Sequence, residues 1–280
     1  MNQDRMQAGN NNLPVINWRF PEAARFGRVI PKEKLYQQAG ANAALKQRVV
    51  QQVGQIKWVY KLAENTTNLA KTNAVDEIEI IQITLKSNIL EESILAAIDK
   101  AIPHPTLFIL KRQLSNETDE ICLVAAHKVK SNTIAGKEAW QQSQYLKSAW
   151  FNPERVNNKP LPAATNLQSL YEQLIEALIP NSPERAINNP DETPSKVSDQ
   201  KASYSIEAKK EQNRTNLPKP SIKLTVEEKL QALAEIELLE KKLQTTKAKR
   251  DREKQFNRRR ELNDDYKTLK QQLAALQAKI

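Results

Sequence analysis

The sequence predicts an α+β domain over residues 15–180, with a mixed or antiparallel sheet of about five strands and three or four helices. One observation behind this prediction is a set of short segments in which β-branched and aromatic residues alternate with polar ones. Another is a set of segments whose apolar residues recur three and four positions apart, as on one face of a helix. A Pro-rich stretch then separates this domain from a charged helical tail.

The first predicted strand is IKWVYKL, residues 56–62. Ile56, Trp58 and Tyr60 alternate with Lys and Val, so we expect them to share one apolar face of the sheet. Such aromatic residues can stack on nucleic-acid bases, but a face shared with Ile56 favours packing in the core. The other predicted strands cover residues 77–86, 106–112, 120–129 and 144–151. The short connection between 106–112 and 120–129 predicts an antiparallel hairpin.

The predicted helices follow the apolar spacing and end at helix-breaking residues. One begins at Pro31, a residue well suited to a first helical turn, and carries Leu35. The others cover residues 43–53 with a stop at Gly54, residues 93–102 with a stop at Pro103, and residues 167–179 with a stop at Pro180.

Composition limits the class of protein. The formal net charge of +10 and the pI near 9.5 favour an anionic partner, such as nucleic acid, an acidic protein or an anionic surface. The single cysteine, Cys122, excludes an internal disulfide and fits a reducing compartment. No signal peptide is evident, and no apolar run approaches the ~20 residues that span a bilayer. We therefore expect a cytoplasmic protein with no membrane partner.

The segments outside the domain are polar. Residues 1–14, rich in Asn and Gln, are predicted to form a flexible arm, and residues 181–223 a disordered linker. Residues 224–280 contain neither Pro nor Gly and are predicted to be a basic helical or coiled-coil tail. Its C-terminal seam has a/d spacing and consists of Leu262, Tyr266, Leu269, Leu273, Leu276 and Ile280.

A cationic block, residues 247–260, interrupts the seam of the tail. An earlier seam, Ile236, Leu239 and Leu243, does not continue through this block, because charges would then lie in the core of the coiled coil. Either the tail folds back as a hairpin with its turn in the block, or the two seams bind different partners; the hairpin is favoured. The candidate residues for nucleic-acid or partner contact are Lys247, Lys249, Arg250, Arg252, Lys254, Arg258, Arg259 and Arg260, against only Asp251 and Glu253.

Few residues point to catalysis. Asp76, Glu77 and Glu79 precede Lys86 on or beside one predicted strand, and Glu33 lies on an upstream predicted helix. This is reminiscent of PD-(D/E)xK nucleases, where acidic groups hold Mg²⁺ and a lysine assists the attack. The motif is broken, because Thr84 stands two positions before the lysine, where an acidic residue is expected. Asp76, Glu79 and Lys86 are weak nuclease candidates, and the favoured interpretation is that they are solvent-facing charges at strand ends.

The other residues capable of chemistry are assigned structural roles. His104 lies in a Pro-His-Pro turn and His127 alternates with apolar residues, and no Ser or Cys stands in a nucleophile motif. Cys122 is predicted to be a small buried hydrophobe. No glycine-rich phosphate-binding motif occurs. With so few soft ligands, neither a metal site nor a cofactor is predicted, apart from Mg²⁺ in the nuclease alternative.

Several strings resemble a known family. KWVYKLAENTTNL at 57–69, VDEIEIIQITLK at 75–86 and IDKAIPHPTLFIL at 98–110 are similar to the bacterial domain of unknown function DUF4391, as is EKQFNRRRELN at 253–263. The resemblance implies that the protein is encoded beside DNA methyltransferases and superfamily 2 helicases, in a locus like those of restriction-modification or phage-defence systems. It implies no catalytic residues.

The function expected from these observations is that of a non-enzymatic accessory subunit in a DNA-targeting, restriction-modification-like or antiphage system. Its partners would be a helicase, methyltransferase or nuclease, with DNA contacted by the basic tail. One alternative is a divergent Mg²⁺-dependent nuclease, and another is a scaffold that self-associates through the C-terminal helix.

Overall fold

The computed structural model describes residues 13–88, 90–114, 118–132, 138–180 and 224–280. The predicted linker, and the predicted arm except for its last two residues, lie outside the described residues. The chain divides into two compact units, Met1–Asn181 and Ser182–Ile280. Each unit is described by itself.

The first unit is α+β, as predicted, and its main sheet has six strands among the described residues, where about five were predicted. The strands are β1 Trp18–Arg19, β2 Arg25–Val29, β3 Val53–Ala63, β4 Glu77–Leu85, β5 Thr106–Gln113, β6 Asp119–Ala125, β7 Lys128–Asn132, β8 Glu138–Gln142, β9 Leu146–Lys147 and β10 Lys159–Pro160. The helices are α1 Lys32–Ala39, α2 Ala43–Gln52, α3 Glu64–Thr67, α4 Glu92–Ala101 and α5 Leu167–Ala177, with a 3₁₀ turn at Glu22–Ala24.

The main sheet is mixed and has the order β2-β3-β4-β5-β6-β9. β2, β3 and β4 pair antiparallel, and helix α4 then crosses over to place β5 parallel to β4. β5 and β6 form the predicted antiparallel hairpin, and β9 pairs with β6. Because β4 and β5 run in the same direction, their amino ends meet at one edge of the sheet.

Two predicted strands differ from those observed. The segment 120–129 divides at Ala126, and β7 leaves the sheet to pair with β8. The Tyr171 hydroxyl lies in this gap, accepting a hydrogen bond from the backbone N–H of Lys128 and donating one to the carbonyl of Ala126. The predicted strand 144–151 shrinks to the two residues of β9 and one isolated bridge from Phe151 to Ile121.

Gly54 does not act as the predicted helix stop. Helix α2 begins at the Asn42 cap, whose side chain accepts a hydrogen bond from the N–H of Leu45. It passes directly into β3 at Val53, and Gly54 is already part of that strand. A Cβ atom on Gly54 would lie 3.2 Å from the carbonyl oxygen of Thr84, so a close strand approach explains this glycine.

One face of the sheet packs against α1, α2 and α4 and forms the main core. Ile81 and Ile83 of β4, Phe108 of β5 and Ile94 of α4 are fully buried there. Cys122 is buried in the same core, as predicted, and its burial raises the pKa of the thiol to about 11. These contacts fix α4 and the loop that follows it against the amino end of β5.

The described part of the second unit is a pair of helices, α6 Val226–Arg252 and α7 Phe256–Gln277, which contact each other along their length. Helix α6 begins in a capping box between Thr225 and Glu228. The chain turns at residues 253–255, inside the basic block, so the hairpin alternative is the one observed. No helix among the described residues is both long and apolar enough to cross a membrane.

The two predicted seams become the partly buried stripes of this hairpin. Ile236, Leu239 and Leu243 on α6 are half-buried, while most positions around them are exposed. The same holds on α7 for Leu262, Tyr266, Leu269, Leu273 and Leu276, and beyond the end of α7 for Ile280. The interruption of the heptads thus marks a turn between two helices rather than two separate docking stripes.

Candidate functional site

Three ionisable residues meet at the amino edge of the parallel strands. Glu77 and Glu79 lie at the start of β4, and His104 lies in the turn that leads into β5. Glu79 is paired with Thr106 in the sheet register, and its N–H donates a hydrogen bond of 2.8 Å to the carbonyl of Pro105. The Pro-His-Pro turn is thereby held beside the two glutamates.

A bulge in β3 completes the site with a lysine. Trp58 pairs with Ile81 and Tyr60 pairs with Ile80, so one extra β3 residue is accommodated between them. Consecutive β4 residues point to opposite faces, so Trp58 and Tyr60 do as well. The prediction that both share the face of Ile56 was therefore wrong for Tyr60, which stacks on Phe20 instead.

Beyond the bulge, Lys61 pairs with Glu79 in the register and lies on its face of the sheet. Without the extra residue, the alternation of β3 would place this lysine on the other face. The ammonium of Lys61 forms an ion pair with Glu77. Bulges often re-aim a side chain in this way beside functional sites.

The imidazole of His104 bridges two carboxylates. Its Nδ1 lies 3.2 Å from Oδ1 of Asp76, and its Nε2 lies 3.0 Å from Oε1 of Glu77. Partial burial is the largest single effect and acts to raise the pKa of Asp76, but the hydrogen bond with His104, a backbone hydrogen bond and nearby positive charge together outweigh it and lower the pKa. Asp76 therefore stays ionised and orients the ring.

Glu79 is the buried member of the cluster. Its side chain is 0% exposed, and neither carboxylate oxygen has a hydrogen-bond partner among the described residues. Burial, and then the negative charge of Glu77, raise the pKa of Glu79 to about 8, with Lys61 opposing the shift. One ligand atom from each of Glu77, Glu79 and His104 lies within 4.8 Å of the others, close enough to share a metal ion.

Two members of the cluster lie on the wall of a cleft of about 320 Å³. Glu77 and His104 line it together with Trp58, and Arg28 and Lys34 add positive charge. Two ring contacts shape the β2 side of the cleft: the Phe26 ring lies 4.6 Å from that of Trp58, and the guanidinium of Arg28 lies 4.7 Å from the centre of the Phe26 ring.

A buried ion pair fixes the turn that carries His104. Nζ of Lys128 lies 2.6 Å from Oδ1 of Asp99, and both side chains are almost fully buried. The same ammonium donates hydrogen bonds to the backbone carbonyls of Asp99, Ile102 and His104. The Tyr145 hydroxyl donates a bond of 2.5 Å to Oδ2 of Asp99. This network connects the end of α4 to the start of β5.

The predicted nuclease candidates are only partly brought together. Asp76 and Glu79 both lie at the His104 end of β4, whereas Lys86 follows its other end, roughly 23 Å from Glu79 along an extended strand. Nζ of Lys86 donates a hydrogen bond to the carbonyl of Val50. The lysine close to the acidic residues is Lys61. His104, for which a structural role was predicted, contacts two carboxylates.

Sequence reasoning also missed Asp99 and Lys128. The one signal available was an ionisable residue inside an otherwise apolar segment, ILAAIDKAI for Asp99 and ICLVAAHKV for Lys128. His127, by contrast, stacks on the ring of Tyr171 with centroids 5.5 Å apart, which agrees with a structural role.

The basic block forms a second candidate surface, at the turn of the hairpin. Arg250, Arg259 and Arg260 line a concave surface with Phe256 and Asn263. Phe256 is 78% exposed, although it is aromatic. The guanidinium of Arg250 is held 4.8 Å above the ring of Tyr266, so a seam residue fixes one cation of this surface.

Comparison with known proteins bears on the whole chain. No curated protein and no solved structure matches it. One family model, described as a domain of unknown function, matches residues 19–273 and so includes both the sheet domain and the hairpin. The resemblance noted in the strands, the Pro-His-Pro turn and the basic tail thus extends over nearly the entire sequence, and the chain belongs to the family DUF4391.

Proposed function

We propose that this protein is a non-enzymatic accessory subunit of a DNA-targeting assembly of the restriction-modification or antiphage type. In this proposal the sheet domain docks on a helicase, methyltransferase or nuclease, and the turn of the hairpin contacts DNA. The system context comes from the family resemblance given above. The observation that carries the DNA contact is the concentration of positive charge at the turn.

The turn of the hairpin is flanked by lysine and arginine side chains that have few acidic partners. Helix α6 ends with Lys249, Arg250 and Arg252 in its last turn, and α7 begins only a few residues later. Of the eight cations in the block, Arg250 alone has an ion pair among the described residues, with Asp251 at 2.9 Å. Like charges this close repel each other, so binding a polyanion would relieve the repulsion and release counterions.

The start of α7 adds backbone donors to this charge. Its cap residue, Gln255, makes no side-chain capping bond, and the first turn contains no acidic residue. The first N–H groups of a helix have no intrahelical acceptor, and the helix dipole favours an anion there. Arg258, Arg259 and Arg260 follow immediately. Phosphate groups are ligands that match both the backbone donors and the arginines.

Replacing Arg258, Arg259 and Arg260 with Gln is expected to weaken DNA binding and flatten its salt dependence. Each phosphate contact contributes about 0.9 to the slope of log K against log salt concentration, so losing up to three contacts lowers the slope by about 1–3. Gln has a helix propensity close to that of Arg, so the hairpin should persist. Titration of labelled duplex DNA at several salt concentrations measures the slope.

The matched control removes the same charge away from the turn, by replacing with Gln two lysines of the same helix, Lys267 and Lys270, and Lys279 just beyond its end. The control should change the slope much less than the arginine variant. If the arginine variant keeps the wild-type slope, DNA contact at the turn is refuted, and an acidic protein becomes the better candidate for this surface.

A further inference from the structure

We propose that Glu77, Glu79 and His104 bind a divalent transition-metal cation, of the Mn²⁺ or Zn²⁺ class, beside the cleft that Glu77 and His104 line. This proposal does not depend on the DNA contact of the hairpin. It concerns other residues of the chain, and three features of the geometry support it.

The first feature is the buried carboxylate of Glu79. A fully buried carboxylate without a hydrogen bond is costly, and buried charges in proteins are normally paired or bound to metal. Lys61 does not fill this role, since its ion pair is with Glu77. Among the described residues, the atoms close enough to share a cation with Glu79 belong to Glu77 and His104. The nearby cation, Lys61, is thus already paired with Glu77, and the carboxylate of Glu79 has no ion pair of its own among the described residues.

The second feature is the orientation of the His104 ring. Nδ1 of the ring lies 3.2 Å from Oδ1 of Asp76, and Nε2 faces Oε1 of Glu77 at 3.0 Å. An imidazole nitrogen and a carboxylate oxygen can both serve as metal ligands. Ligands at right angles around a metal with bonds of about 2.1 Å lie about 3.0 Å apart, so the observed separation suits a shared ion.

The third feature is support behind the ligand. In metal sites the imidazole that binds the ion commonly donates its other N–H to a carboxylate, which fixes the ring and its tautomer. Asp76 occupies that position on His104. Lys128 fixes the turn from behind through the carbonyls of Ile102 and His104. The ring is therefore held in the orientation that binding requires before any ion arrives.

The donor set indicates the kind of ion. Two carboxylates alone suit Mg²⁺, Ca²⁺ and Mn²⁺, whereas imidazole suits transition metals, so the combination favours Mn²⁺ or Zn²⁺ over Mg²⁺. Three protein ligands leave at least one coordination position for water or another small ligand. Glu77 and His104 line the cleft, so that position would be accessible from it.

The test is calorimetric titration of the EDTA-treated full chain with Mn²⁺ and, separately, with Zn²⁺. We expect one site per chain, and a loss of affinity of at least about 100-fold in both Glu79→Gln and His104→Gln. The variant Asp76→Asn should lose about 10–100-fold, because it removes the group that orients the ring. Circular dichroism of each variant checks that the fold is retained, and Glu154→Gln, at an exposed position, serves as the control.

Pulsed electron paramagnetic resonance of bound Mn²⁺ gives a second readout. Coupling to an imidazole nitrogen is expected in the wild type and should disappear in His104→Gln. The proposal is overturned if the wild type binds neither ion at millimolar concentration. It is also overturned if folded Glu79→Gln and His104→Gln bind as tightly as the control.

Discussion

Replacing Lys128 with Met is expected to destabilise the folded sheet domain by about 3–5 kcal/mol at neutral pH. The substitution keeps the volume and apolar stem of the side chain but removes the charge that pairs with Asp99. A buried carboxylate that loses its partner costs about this much, because it must either stay charged in the core or take up a proton. Urea denaturation followed by far-UV circular dichroism measures the change.

The cost should depend on pH in a defined direction. Burial already raises the pKa of Asp99 in the wild type, although the charge of Lys128 opposes the shift. Without Lys128 the folded-state pKa rises further. A carboxyl whose folded pKa is raised contributes stability that is complete below its unfolded value and lost as pH rises. The destabilisation by Lys128→Met should therefore be larger at pH 8 than at pH 5.

Two further variants separate this account from a simple packing defect. Lys100→Met removes an exposed lysine adjacent to Asp99 in sequence and should have little effect on stability. Adding Asp99→Asn to Lys128→Met removes the unpaired charge and should recover part of the loss. If the destabilisation is the same at pH 5 and pH 8 and the double variant recovers nothing, the buried charge is not its cause.

The fold was more predictable than the site, for reasons that particular residues illustrate. The strand at 77–86 was predicted almost to its observed bounds, Glu77–Leu85, because its alternation of β-branched residues is local information. The hairpin could be inferred because the basic block interrupts the heptads, which is again visible in the sequence. In both cases the spacing of apolar residues in the sequence matches the repeat of the element they form, two residues for the strand and the heptad for the helices.

The site depends on contacts between strands, which cannot be predicted from the spacing of residues within one segment. Lys61 joins Glu79 only because an extra residue between Trp58 and Tyr60 changes the face of β3. His104 meets Glu79 because β4 and β5 pair in parallel with a particular register. The sequence drew attention to Asp76 and Glu79 as acidic residues on a strand, but it associated them with Lys86, which is near in sequence and distant in the fold. Because the pairing register of strands is a tertiary property, the sequence did not associate Lys61 and His104 with Glu79.

Replacing Glu79 with Gln is expected to stabilise the metal-free protein by about 3 kcal/mol at pH 7. The ordinary pKa of this carboxyl is 4.5, and burial followed by the charge of Glu77 raises it to about 8 in the folded state. The unfolded chain thus gains from ionising Glu79 at pH 7 while the folded chain does not. Each unit of pKa difference that lies below the working pH contributes about 1.4 kcal/mol. Gln has nearly the shape of the protonated carboxyl and does not ionise.

The stability gain from Glu79→Gln should grow as pH rises. In the wild type, the stability associated with Glu79 is complete below pH 4.5, falls as pH rises, and levels off above about pH 8. The advantage of Glu79→Gln should therefore be small at pH 4.5 and reach its full size by pH 8. Urea denaturation in EDTA across this range measures it, with Glu154→Gln as the control for loss of an exposed negative charge. A variant no more stable than the wild type at pH 8 would contradict the prediction.

Together with the metal proposal, this predicts opposite effects of one substitution. Without a cation, Glu79 destabilises the domain at neutral pH, because burial beside Glu77 opposes the ionisation that the unfolded chain gains. A cation that binds only the folded state stabilises that state by an amount that grows with its concentration. Saturating Mn²⁺ or Zn²⁺ should therefore reduce or reverse the stability advantage of Glu79→Gln. If the metal stabilises the variant as much as the wild type, the buried carboxylate is not a ligand and its burial needs another explanation.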